Sequence, residues 1–241
     1  MPHGIRAVTL DMWNTLVHPR NYLEFRLPHL KSFLKANGVE LEEARLLEVY
    51  QAGFRHSTEI HKVEGRRHVG VDEIVNHTIE LVGLDGKCDY SPIVTLYEEA
   101  VLNDPPKLKE GTIETLEWLR GKVKIGLISD SGSSPGRVMR RILQDYGVLG
   151  YFDVTIFSDE VGLCKPYEVM FKTALDGLNV EPEEALHVGD LIKHDILGAK
   201  RVGMRTAWFK TGNDDHPTDI VPDFIITRLP ELIKIVEGLS R

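Results

Sequence analysis

The most restrictive feature of this chain is a series of short, largely apolar runs, each stopped by polar residues and followed by a segment that reads as helix. Residues 8–10 form the first run, which ends at Asp11; after Gly111 further runs occupy 123–128, 154–157, 185–188, 206–209 and 224–226. Helical segments are expected at 137–146, 169–178, 195–202 and 229–236. Apolar strands that alternate with helices imply a parallel sheet buried on both faces. The fold class expected is therefore α/β, an open and doubly wound parallel sheet.

Between the first and second runs the periodicity changes. Leu23, Leu27, Leu30 and Leu34 recur at helical spacing, as do Leu41, Ala44, Leu47 and Val49-Tyr50, and then Ile74, Val75, Thr78, Ile79 and Val82, with Gly83 as a stop. Pro105-Pro106 breaks the chain before the alternating pattern resumes. The expected organisation is a core formed by 1–17 and 103–241, with an all-helical insertion at 18–102.

Composition narrows the partners. Hydrophobic residues make up 42% of the 241 and charged residues 27%, enough apolar surface for a sizeable core. Asp plus Glu total 37 against 29 Lys plus Arg, a net charge of -8, which is the wrong sign for tracking nucleic acid. No apolar run is long enough to span a bilayer, and Arg6 and Asp11 come too early for a signal peptide. Cys88 and Cys164 stand far apart, which suggests reduced thiols. The expectation is a cytoplasmic monomer or homodimer with no membrane partner.

In a doubly wound sheet, ligands bind beyond the carboxyl ends of the strands, near the point where strand order reverses. The polar residues at such ends are Asp11, Ser129-Asp130, Lys165 in the loop after Phe157, and Gly189-Asp190. One acid after a strand is usually a cap or turn former; four polar endings in matching positions suggest a reactive set. A carboxylate can attack phosphorus to form an aspartyl-phosphate, provided positive charge offsets the approach of two anions. Lys165 supplies one cation. Asp11 and Asp190 would repel by roughly a few kcal/mol at about 4 Å in a partly screened site, and a magnesium ion would relieve that repulsion. Ser129, Asp130 and nearby backbone N–H groups are the candidate substrate-binding groups.

These residues lie in segments that resemble the haloacid dehalogenase superfamily. VTLDMWNTL is similar to its first motif, IGLISD to the second, SDEVGLCKP to the third and HVGDLIKHD to the fourth, in order across nearly the whole chain. The resemblance implies a Rossmann-like core with a helical cap inserted after the first strand. It also implies Asp11 as nucleophile, Ser129 as phosphoryl-oxygen ligand and Lys165 as the neutralising cation. Asp11, Asp190 and the backbone carbonyl of Trp13 would hold Mg2+, and Asp195 would support Asp190 or Lys165 from behind.

The position two residues beyond the nucleophile carries an aspartate general acid in the family's phosphatases; here it is Trp13, and an indole N–H cannot replace that acid. Three readings stand. The first is a magnesium-dependent phosphatase of small phosphomonoesters, with a weaker acid or one relocated to His18, His56 or His61. The second is a metal-independent 2-haloacid dehalogenase, whose halide needs no proton. The third is a non-catalytic phosphate- or partner-binding protein. The cluster Lys62, Arg66, Arg67 and His68 reads as a solvated charged loop, Arg137, Arg140 and Arg141 as solvated helix charges, Ser134 as a helix cap, and Cys164 as a packing residue.

Overall fold

The computed structural model describes residues 4–212 and 219–239. Strand β1 (Ala7–Leu10) is followed by four helices, α1 (Leu23–Ala36), α2 (Glu43–Val63), α3 (Val71–Glu80) and α4 (Ser91–Glu99). Then come α5 (Thr112–Leu119), β2 (Lys124–Ser129), α6 (Gly136–Asp145), β3 (Val154–Phe157), α7 (Ser158–Val161) and α8 (Glu168–Leu178). β4 (Ala185–Gly189), α9 (Leu197–Arg201), β5 (Arg205–Phe209), β6 (Phe224–Ile226) and α10 (Glu231–Leu239) complete the order.

The strands form one sheet in the order β3-β2-β1-β4-β5-β6, and every pairing is parallel. β1 lies between β2 and β4, with Val8 opposite Ile125 on one side and Leu186 on the other. All four of its residues are fully buried, which is why the run is apolar on both faces except at Thr9. Its side chains still alternate in direction. Val8 and Leu10 join Leu116, Met139, Ile142 and Leu232 on one face, and Ala7 joins Met170, Phe171, Ala174 and Leu178 on the other. Helices therefore cover both faces, as expected. Burying a side chain such as Phe171 contributes roughly 1.5–3 kcal/mol relative to exposure.

Leu30, Leu34, Leu46, Tyr50, Val75, Ile79, Ile93 and Tyr97 form a separate apolar cluster among α1–α4. The face that α2 buries agrees with the sequence expectation at Val49 and Tyr50 and departs from it elsewhere: Leu46 and Gly53 are buried, while Ala44 is exposed. Gly53 sets this phase, because a Cβ there would lie 2.4 Å from Thr78 Oγ1 and 2.8 Å from the Ile74 carbonyl of α3. Two further corrections concern the core. Helix α5 was not anticipated, and the helix expected from 195 begins with a wide turn of π geometry at Ile192–Ile196 before α9.

Among the described residues, no helix is long and apolar enough to cross a membrane. Both cysteines are free. Arg137 and Arg140 are not merely solvated: Arg137 pairs with Glu98 and Glu99 of α4, and Arg140 bonds Thr155 and Glu160. Arg141 is exposed. Ser134 is buried, and the residue capping α6 is Pro135, so its reading as a cap does not hold.

Candidate active site

The order of the strands reverses between β1 and β4, and the crevice beyond their carboxyl ends is where an open α/β sheet presents its ligand site. Asp11 leaves β1 there and Asp190 leaves β4. Ser129 closes β2, and Lys165 arrives from the loop after α7. The sheet thus brings together residues as far apart in sequence as Asp11 and Asp195.

Lys165 is the centre of the cluster. Its Nζ donates to Asp11 Oδ1 at 2.5 Å, to Asp195 Oδ1 at 2.6 Å and to the Ile128 carbonyl at 3.1 Å. Three acceptors satisfy the three ammonium protons. Lys165 is 3% exposed, Asp11 5%, Asp190 6% and Asp195 1%. Burial opposes the Lys165 charge, but Asp11, Asp195 and Asp130 outweigh it and raise its pKa well above the usual range.

The carboxylates are treated unequally. Asp195 accepts from Lys165, from the Leu191 N–H at 2.9 Å and from His187 at 3.3 Å. Burial works against its charge; Lys165 and the His187 bond prevail and hold its pKa well below the ordinary value. Asp11 is pushed up to about 8, chiefly by burial, with Lys165 pulling the other way and Asp195 and Asp190 adding repulsion. Asp190 is also raised by burial, against a bond from Asn14 Nδ2 at 2.7 Å. Ligand atoms of Asp11, Asp190 and Asp195 all lie within 4.8 Å of one another. Ionising all three buried acids against one ammonium would leave an excess of negative charge, and Asp11 and Asp190 answer it by holding their protons more tightly. Those oxygens fit a hard divalent cation, which prefers carboxylate donors.

Several positioning residues were not visible in the sequence. Asn14 holds Asp190 from a left-handed backbone conformation, φ 60°, which asparagine tolerates better than most residues. Trp208 Nε1 donates to the Asp190 carbonyl at 2.9 Å. His187, wholly buried inside β4, faces its strand partner Thr9, with Nδ1 and Oγ1 2.8 Å apart. Burial lowers the His187 pKa, so the ring is neutral. Nε2–H donating to Asp195 and the Thr9 hydroxyl donating to Nδ1 satisfy both nitrogens. Gly189 completes the arrangement, since a Cβ there would sit 2.2 Å from Asp195 Cγ.

The basic cluster of the helical block is the main correction to the sequence reading. Arg66 is no solvated loop charge: its Nε donates to the Lys165 carbonyl at 2.9 Å and its Nη2 to Asp130 Oδ2 at 3.1 Å. The Cys164 N–H returns a bond to the Arg66 carbonyl at 2.7 Å. Arg67 pairs with Glu64 and Glu73, and His68 lies 3.0 Å from Ser158 Oγ. Asp130 Oδ1 accepts from the Lys165 N–H at 2.8 Å, so protein donors occupy both of its oxygens. The Cys164 thiol, pushed up to about 11 by burial, stays protonated at neutral pH.

Trp13 is half-buried and lines a cavity between helical block and core. His18 is exposed, His56 stacks on His77 with centroids 4.1 Å apart, and His61 Nε2 is buried with no partner among the described residues. Among the described residues, none of the three bonds to Asp11, Lys165 or Asp190.

Comparison with known proteins places this geometry. The family model for haloacid dehalogenase-like hydrolases matches residues 5–203. The chain is 41% identical over 104 residues to a glyceraldehyde 3-phosphate phosphatase of Pyrococcus furiosus, a match spanning 42% of this chain and 41% of that one. It is 29% identical to the glyceraldehyde 3-phosphate phosphatase of Methanocaldococcus jannaschii over 98% of this chain and 99% of the relative. Among solved structures, a HAD phosphatase from Thermococcus onnurineus superposes with a TM-score of 0.67 at 29% identity, covering 98% of this chain and all of that one. A 2-haloacid dehalogenase from Pseudomonas syringae gives a TM-score of 0.70 at 22% identity, over 97% and 99% of the two chains, a likeness of fold alone. With its model matched along most of the sequence and its strand-end acids gathered around one lysine, the chain belongs to the haloacid dehalogenase-like hydrolase family.

Proposed function

We propose that the protein is a magnesium-dependent phosphatase that hydrolyses small phosphomonoesters through an aspartyl-phosphate on Asp11. The observation that carries this reading is the buried excess of carboxylate over ammonium at Asp11, Asp190, Asp195 and Lys165. An enzyme for halocarboxylates would have to bring its substrate's carboxylate toward the unneutralised Asp190. The full-length relative named as a phosphatase supports the same choice.

Asp11, Asp190 and the Trp13 carbonyl would hold the ion. When bound, it supplies positive charge to the phosphoryl oxygens and keeps the Asp11 carboxylate ionised. Asp11 attacks phosphorus, the ester P–O bond breaks with its electron pair on the departing oxygen, and water then cleaves the acyl phosphate to return Asp11. Lys165 neutralises Asp11 before the attack, and Ser129 donates to a phosphoryl oxygen. Asp195 and the neutral His187 fix the Lys165 ammonium. Asp130 acts indirectly, by pinning the Lys165 loop and Arg66. The helical block serves as the cap that limits access of bulk water. Because Trp13 cannot protonate the departing oxygen, esters of acidic alcohols and phenols turn over faster than alkyl esters, by an amount on the scale of general-acid catalysis, about 10²- to 10⁴-fold.

The test is purified protein on an aryl phosphate and on L-2-chloropropionate, each with magnesium and with chelator. Metal-dependent phosphate release that disappears in Asp11→Asn supports the proposal. Chloride release that survives chelation overturns it in favour of dehalogenation, and the absence of either product across broad panels of both substrate classes favours a binding protein.

A further inference from the structure

A cavity of about 920 Å³ lies between the helical block and the loop after β2, with Trp13 and Asp130 on its wall. Three arginines line it: Arg20, Arg26 and Arg55. Asp130 is the single acidic residue among the described lining residues, and Arg66 and the Lys165 N–H already occupy it. Arg20 is paired with Glu24 and Asp104. Arg26 and Arg55 have no carboxylate partner among the described residues.

Arg26 is an unusual charge. It is 4% exposed, and its guanidinium carbon lies 5.7–5.8 Å from the ring centroids of Tyr22, Phe54 and Tyr97. Its Nε and Nη2 donate to the Tyr97 carbonyl at 3.0 and 2.9 Å, and Nη2 reaches the Ser133 carbonyl at 3.5 Å. Neutral carbonyls and rings moderate a buried cation but do not neutralise it. Arg55 is exposed and makes no hydrogen bond or ion pair among the described residues. Capping the end of α4 explains the Tyr97 contacts; it does not explain a second unpaired arginine on the same wall of a protein whose net charge is -8. Ser133, which Arg26 touches, is four residues beyond Ser129, a span of at most about 14 Å of chain. A small molecule can bridge that reach.

We infer that Arg26 and Arg55 receive a second anionic group carried by the leaving-group portion of the substrate. The preferred esters are then phosphomonoesters bearing a carboxylate or a further phosphate. This inference rests on the phosphatase reading for its substrate, and it adds the class of metabolite.

Matched esters test it: 4-carboxyphenyl phosphate against 4-carbamoylphenyl phosphate, and glycerate 3-phosphate against glycerol 3-phosphate. The expected result is a kcat/KM preference of roughly 10- to 100-fold for the charged member of each pair, carried mainly by KM. Arg55→Gln lowers that preference about tenfold, Arg26→Gln abolishes it, and Arg26→Lys retains part of it. Arg55→Gln alters an exposed position, so the test survives if Arg26→Gln does not fold. Equal rates for both members in the wild type, or a preference unmoved by Arg55→Gln, overturns the inference. If no ester is hydrolysed, the phosphatase reading fails separately. Calorimetry of the two aryl phosphates on Asp11→Asn then decides: tighter binding of the carboxylate, lost on adding Arg55→Gln, supports the inference, and equal binding rejects it.

Discussion

Replacing Asp11 with asparagine separates two accounts of the Lys165 cluster. If the Asp11–Lys165 contact is a stabilising ion pair, removing one partner of so buried a pair costs about 3–5 kcal/mol. The geometry argues otherwise, because Lys165 is shared between Asp195 and Asp11, so its charge only partly offsets the burial of Asp11 and the repulsion from Asp195 and Asp190. Its pKa is raised from 3.8 to about 8. The folded state therefore binds this proton more tightly than the unfolded chain does, and the stability that proton confers is present below pH 3.8 and lost as pH rises through 8. At pH 7.5 in chelator the folded state holds Asp11 mostly protonated while the unfolded chain is ionised, which costs on the order of 5 kcal/mol at about 1.4 kcal/mol per pH unit above 3.8; Asp11→Asn recovers this less the weaker bond its amide oxygen accepts from Lys165. At about 2–4 °C per kcal/mol for a chain of this size, Tm in Asp11→Asn equals or exceeds the wild type by up to about 15 °C. The wild-type Tm falls between pH 5 and pH 8 while the variant stays flat, and magnesium raises only the wild type. Scanning calorimetry with chelator and with magnesium measures all three. A variant that melts well below the wild type at pH 7.5, or shows the same pH slope, refutes the reasoning.

Gly189→Ala places a methyl group where Asp195 now stands; the resulting strain costs about 1–3 kcal/mol in chemical denaturation and lowers phosphate release together with it. Arg66→Ala and Asp130→Asn act on one contact between part-exposed groups, so a double-mutant cycle of unfolding free energies gives a coupling of about 0.5–1 kcal/mol, and strict additivity counts against the link. His187 has its pKa lowered by burial, so stability is held above the usual imidazole pKa and declines as pH falls below it; an imidazole NMR signal that titrates near pH 6.5 in the folded protein contradicts this placement.

The sequence disclosed the parts of the site that follow strand ends. Asp11, Ser129, Lys165 and Asp190 each come directly after, or in the loop beyond, an apolar run, and a parallel sheet sends such positions to one crevice. What it did not disclose are contacts with no local signature. Arg66 meets Asp130 64 residues away, and within its own segment it is one charge among several. Thr9 and His187 look like polar interruptions of buried strands until register places them side by side. The inward face of α2 depends on Gly53, which a pattern of large apolar residues passes over. The helix expected from 195 starts three residues earlier, in a wide turn at Ile192–Ile196 whose sequence carries no glycine or proline to mark it, and Asp195 of that turn meets Lys165.

The central place of β1 has a consequence during synthesis. It leaves the ribosome first among the strands, yet its neighbour β4 lies 178 residues later, as the Thr9–His187 contact measures. At about 5–20 residues per second, the strand waits roughly 10–35 s with its β4 edge unpaired. Over that interval its apolar surface and open backbone must be kept from other nascent chains, and the cluster around Lys165 cannot assemble before Asp195 has emerged.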